Sequence, residues 1–161
     1  MIDAFKIYVD QLRNGNDEEI QEEFSPAFLN VNEKELSFAD PIEVNGHAYL
    51  TDDSLILNLA IKTKAMIPCS ICNEPFKFDI EISNFYHVEE LEEIKGAVYD
   101  FQELLRETIL LETPQFAECH QGKCPDREKI KNYLKEVSEE KKSSEEDGYQ
   151  PFSDFDWNKK D

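Results

Sequence analysis

Leu55-Ile56-Leu57-Asn58-Leu59-Ala60-Ile61-Lys62-Thr63 sets the fold class of this chain. Leu55, Leu57, Leu59, Ile61 and Thr63 alternate with Ile56, Asn58, Ala60 and Lys62, the period of a strand with one face buried. After Pro68 to Pro75 the alternation resumes in Phe76, Phe78, Ile80 and Ile82. Two strands joined by a short proline-bounded connection are antiparallel neighbours. That connection carries Cys69-Ser70-Ile71-Cys72, so two thiols lie on one tight loop.

Working toward the N-terminus, Ile42, Val44, Tyr49 and Leu50 extend the strand pattern. Asn45-Gly46 among them is a turn signal, although it sits in the middle of the stretch. Thr51-Asp52-Asp53-Ser54 makes the next turn. Phe5, Ile7 and Val9 alternate with Lys6, Tyr8 and Asp10 and predict an opening strand, broken at Asn14-Gly15-Asn16. Asp17 to Phe24 reads as a short acidic helix ended by Pro26.

Toward the C-terminus, Asp100 with Glu103 forms a capping-box signal for a helix whose apolar stripe is Phe101, Leu104, Leu105, Thr108 and Ile109, ending before Pro114. A second helix follows Pro125, with Ile130, Tyr133, Leu134 and Val137 on one face. The expected fold is α+β, mainly antiparallel sheet with two C-terminal helices and a cysteine-bearing, zinc-knuckle-like loop. It occupies residues 1–137 as one domain. Residues 138–150 read as an acidic disordered linker, and 151–161 as an aromatic tail segment containing Phe152, Phe155 and Trp157.

All four cysteines fall into two pairs, Cys69-x-x-Cys72 and Cys119-x4-Cys124. Each spacing can set two sulfurs on one turn, and two such turns together make a tetrahedral thiolate cage suited to zinc. His120 and His87 are competing ligands. Four thiolates leave no position for water or substrate, so the metal's role would be structural. A thioredoxin-like reading needs the first pair at a helix N-terminus, where the dipole lowers a thiol pKa. Here Pro75 and an alternating strand follow it instead. The plainest alternative is four small, buried, inert thiols.

Charge narrows the partners. Thirty-six acidic residues face 17 basic ones for a formal net charge of −19 in 161 residues. That argues against a broad phosphate-binding surface and favours a basic protein partner. One local exception is Lys123, Arg127, Lys129, Lys131 and Lys135, which on a helix could form a basic edge, or simply a solvated face. The acidic residues around Phe152, Phe155 and Trp157 suit either a recognition segment or a fold-back onto the domain. No apolar run approaches the roughly 20 residues of a membrane span. The N-terminus has neither a basic start nor a hydrophobic signal region, which predicts a cytoplasmic protein with reduced thiols. No phosphate-cradling or acid–base motif suggests a small-molecule substrate.

Four segments, in order, resemble the bacterial YceD-like proteins, the large ribosomal RNA subunit accumulation protein family. They are Cys69-Ser70-Ile71-Cys72-Asn73-Glu74-Pro75-Phe76, the helix Asp100 to Pro114 with its Glu107-x-x-x-Leu111-x-x-Pro114 ending, the cluster running into Cys124-Pro125, and Pro151-Phe152. The likeness spans most of the chain from Cys69 onward. The chain departs from the family pattern at Ile71, where relatives carry arginine, and in the four-residue spacing of the second pair. A further cysteine after Cys-Pro is also missing. The resemblance implies a non-enzymatic role in accumulation or processing of large-subunit ribosomal RNA, through a basic large-subunit ribosomal protein, the precursor RNA, or both. The alternative is a thiol-disulfide oxidoreductase using Cys69 and Cys72.

Overall fold

The structure, a computed structural model, describes residues 4–133. A four-stranded antiparallel sheet of order β2-β3-β4-β5 dominates it. Its strands are β2 (Glu18–Phe24), β3 (Ile42–Leu50), β4 (Ser54–Pro68) and β5 (Pro75–Glu90). A two-stranded ribbon pairs β1 (Lys6–Tyr8) with β6 (Val98–Asp100). Among the described residues the helices are α1 (Val9–Leu12), α2 (Gln102–Glu112), a single turn α3 (Cys119–Gly122) and a helix over 127–133. Fold class is therefore as the alternating pattern predicts. Among the described residues no helix is long and apolar enough to cross a membrane.

β4 is the central beam of the molecule. Leu55, Leu57, Leu59, Ile61, Ala65 and Ile67 are buried along one face, as the period-two reading requires. Ile42, Val44 and Ala48 of β3 and Ile80 of β5 join them. Phe101, Leu105 and Ile109 of α2, with Ile7 and Leu29, close the core over this face. Phe5 stacks on Phe24 at 4.1 Å between ring centroids and meets Phe101 edge-on, tying the chain start to the sheet and helix. Each such side chain contributes on the order of 2 kcal/mol by leaving water.

Several expectations are corrected. Residues 18–24 are a strand, not an acidic helix. Ile20 and Phe24, four apart, fit one face of either element, and pairing with β3 from Glu18↔Ala48 to Phe24↔Ile42 selects the strand. Pro26 opens a 3₁₀ turn, capped by the Ser25 hydroxyl, which accepts the Ala27 N–H. Asn45-Gly46 is no turn but mid-strand in β3. Glycine is needed there because a Cβ would lie 2.0 Å from the Asn58 carbonyl oxygen across the ladder. The opening strand stops at Tyr8, and Val9 begins α1.

Asp100 ends β6 rather than opening α2. Its carboxylate still accepts the Gln102 N–H at 2.9 Å, so half of the capping box forms. No reciprocal bond from Glu103 occurs among the described residues; Glu103 faces Arg106 instead. The helix after Pro125 exists, but Ile130 and Tyr133 are exposed on it rather than packed. Leu134 and Val137 lie outside the described residues, as do the linker at 138–150 and the tail at 151–161.

Candidate metal centre

The four cysteines meet at the tip of the β4–β5 hairpin. β4 ends at Pro68 opposite Pro75, and the loop between them turns back on itself. The Asn73 N–H donates to the Cys69 carbonyl and the Cys69 N–H to the Glu74 carbonyl, both at 2.9 Å. Asn73 adopts a positive φ of 61°, a conformation asparagine tolerates. This tight turn aims the Cys69 and Cys72 sulfurs to the same side, as the two-residue spacing predicts.

The second pair arrives on the chain leaving α2. Ala117 lies alongside Cys69 in a parallel bridge, and the Ser70 N–H donates to the Ala117 carbonyl at 2.8 Å. Cys119 follows at once. His120, Gln121 and Gly122 then take φ values of 54°, 56° and 83°, a left-handed turn that swings Cys124 back toward Cys119. Four intervening residues are accommodated by that turn, with Gly122 at its most positive φ.

All four sulfurs lie within 4.8 Å of one another, and Cys69, Cys119 and Cys124 are buried. No disulfide joins them. A tetrahedral zinc with bonds of about 2.3 Å spaces its sulfurs about 3.8 Å apart. Cys72 Sγ and Cys119 Sγ, 47 positions apart in sequence, are 3.8 Å apart. Donor type, donor number and spacing therefore fit a metal site.

The surrounding hydrogen bonds suit thiolates. Cys69 Sγ accepts backbone N–H groups from Ile71 at 3.4 Å and Cys119 at 3.3 Å. Burial raises the Cys69 thiol, but the N–H groups of Cys119, Cys72 and Ile71 outweigh it and bring the pKa down to about 6. The Glu74 N–H lowers Cys72, yet burial and the sulfurs of Cys69 and Cys124 leave it raised. Burial and the same sulfur neighbours push Cys119 up. Four sulfurs this close cannot all ionise without a cation to relieve their repulsion.

Glu118 is the residue that sequence reading missed. Its carboxylate accepts the Cys124 N–H and the Arg127 Nε–H, both at 2.9 Å, and so locks the second turn to the following helix. Bonding from Arg127 and then Cys124 holds its pKa at about 2. Its position before Cys119, with an arginine nearby, is a signal too common to single out.

His120 is exposed, with Nδ1 3.2 Å from Cys119 Sγ, beside the cluster rather than part of the four-donor group. His87 is no competing ligand: it sits at the far end of β5, bonded to Glu89 at 3.0 Å and Tyr99 at 3.2 Å. Of the basic edge, Arg127 pairs with Glu118, Lys129 with Asp126 at 3.1 Å and Lys131 with Glu128 at 3.4 Å. Lys123 is exposed, without an ion pair among the described residues. Lys135, Phe152, Phe155 and Trp157 lie outside the described residues. No protein-family profile, curated protein or solved structure matches this chain.

Proposed function

We propose that this chain is a non-enzymatic ribosome-biogenesis factor, stapled by a structural zinc, that supports accumulation of large-subunit ribosomal RNA. It does so by holding a basic large-subunit ribosomal protein or a precursor particle in the cytoplasm. The observation that carries the reading is the closed set of four sulfurs. With four protein ligands the coordination sphere is full, so zinc there supplies rigidity and no Lewis-acid chemistry. Cys69, Cys72, Cys119 and Cys124 would hold it, and Glu118 and the Ser70–Ala117 contact orient the two turns. The four segments that resemble the YceD-like family supply the ribosomal direction. The net charge of −19 supports a basic protein, rather than bare RNA, as the direct partner.

Affinity capture of the full chain from lysate, with and without nuclease, tests the partner. Recovery of one basic large-subunit protein after nuclease is the expected result. Loss of every ribosomal component overturns the proposal.

The oxidoreductase reading has one observation in its favour, the lowered pKa of Cys69. Against it, Cys69 is buried and its pair sits on a hairpin loop, with no helix N-terminus to stabilise a reactive thiolate. Turnover in an insulin-reduction assay, lost in Cys72→Ser, would revive it.

A further inference from the structure

The sheet has a second face, opposite the core. Glu43, Asn45, His47, Asn58, Lys62 and Lys64 are exposed along it. An antiparallel sheet commonly leaves one face to water, and a polar surface there needs no explanation. The hairpin-tip half fits that description. Lys62 pairs with Glu81 at 3.0 Å and Lys64 with Asp79 at 3.7 Å, so both of its lysines are engaged within the sheet, with Glu43 and Glu23 in the same row as Lys62.

The other half differs in both respects. Register aligns Tyr49, Ile56 and Val88 in one row and Glu19, His47, Asn58 and Tyr86 in the next. Ile56 is only 3% exposed although it points away from the core, because its neighbours cover it. Tyr86 and Val88 are themselves 57% and 47% exposed. Tyr49 lies under the influence of Tyr86 and Asp17. Glu90 stands opposite Ser54 at the row's end. These two rows contain no lysine or arginine; Glu19 lies in the second, Glu90 at the end of β5, and Asp17 just before β2. An aromatic and aliphatic patch with acidic residues at its edges and no lysine or arginine in its rows is thus set into the face.

We propose that this patch is a docking surface for an extended lysine- and arginine-rich segment of a partner polypeptide. Cationic side chains lie over the exposed Tyr86 ring and beside Tyr49, their charge shared with Glu19 and Glu90, while their aliphatic stems cover Val88. Cations prefer tyrosine faces, and aromatic anchors carry much of the energy of a small interface. Charge complementarity selects a basic segment over a nucleic acid, whose phosphates the same rim repels. This surface deepens the proposed binding of a basic ribosomal protein and rests on that reading for the partner's identity, though not for its chemistry.

The test is calorimetric titration of the full chain with a synthetic peptide of alternating arginine and glycine. Tyr86→Ala with Glu90→Gln is expected to weaken binding by about tenfold, a hot-spot loss, while Tyr86→Phe keeps the ring and the affinity. Two comparison chains keep the patch. Asp79→Asn with Glu81→Gln alters the hairpin-tip half of the sheet. Glu139→Gln, Glu140→Gln, Glu145→Gln and Glu146→Gln together reduce the acidic stretch near the C-terminus. Both are expected to stay within about twofold of wild type, because distant screened charges add little. Equal losses in all three chains, loss only in the C-terminal variant, absence of peptide binding, or displacement of the peptide by single-stranded RNA each overturns the proposal. Peptide binding that persists in Tyr86→Ala with Glu90→Gln, while a ribosomal protein is still captured, removes this surface and leaves the ribosomal reading standing. Peptide binding lost in that variant, with no ribosomal component captured by wild type, keeps the surface and removes the ribosomal reading.

Discussion

The two ends of the β4–β5 hairpin are held by different physics. Toward its middle and open end, β4 buries a continuous row of aliphatic side chains beneath α2 and the β1–β6 ribbon. At its tip, the buried cluster is three cysteines, with Ile71, Cys72 and Phe76 packed against it. Apolar burial is non-directional and spreads over many contacts, so the sheet tolerates local change. The tip has too few apolar atoms to do the same and relies on directional bonds: two N–H groups on Cys69 Sγ, the Ser70–Ala117 contact and the Glu118 clasp. A region of that kind is suited to being ordered by a bound metal.

The largest expected effect therefore separates the two regions outright. Chelation, or Cys119→Ser, should release one metal per chain and remove of the order of 10 kcal/mol of binding free energy from the tip. Amide exchange should accelerate at residues 69–76 and 117–127 while β3 and the centre of β4 stay protected. Unchanged protection at the tip after chelation would break the comparison.

Leu57→Ala tests the other region. Leu57 is fully buried, and its truncation should cost about 3 kcal/mol in urea denaturation, with metal content unaltered. Gly46→Ala probes the same region by overpacking. Its new Cβ meets backbone at the Asn58 carbonyl, which cannot swing aside, so a loss of about 2 kcal/mol is expected. A Gly46→Ala chain as stable as wild type would mean that β3 and β4 can separate at little cost.

The smallest effect appears only in alkali. Burial, then Glu89, pushes the Tyr99 hydroxyl from its ordinary value near 10 up to about 12, so the folded state favours the neutral phenol. That contribution is complete below pH 10 and lost as pH rises toward 12. Tyr99→Phe should flatten the fall of melting temperature across this window. An identical slope in both chains would remove Tyr99 from the account.

Legibility in the sequence followed the range of the interactions. The β4 and β5 strands were readable because alternation is a local consequence of one buried face. The turn at Cys69 to Cys72 was readable because two-residue spacing between thiols, bounded by prolines, leaves few conformations. Residues 18–24 were misread because their two apolar residues fit either period, and only the β3 partner decides. Asn45-Gly46 was misread because a local turn signal says nothing about a facing carbonyl. The capping box was half right, since Asp100 serves the helix while pairing with Lys6 in the ribbon.

By itself, then, the chain determined an antiparallel sheet, a thiol-bearing hairpin tip, an acidic surface and a helix following residue 100. Only the folded molecule decided that Cys72 and Cys119 lie 3.8 Å apart, that Glu118 clasps the second turn, and that one half of the uncovered face gathers Tyr49, Tyr86 and Val88. The reason is that strand period and turn preference act over a few residues. Contacts across 47 positions depend on ladder register and on a connection whose path no nearby residue dictates.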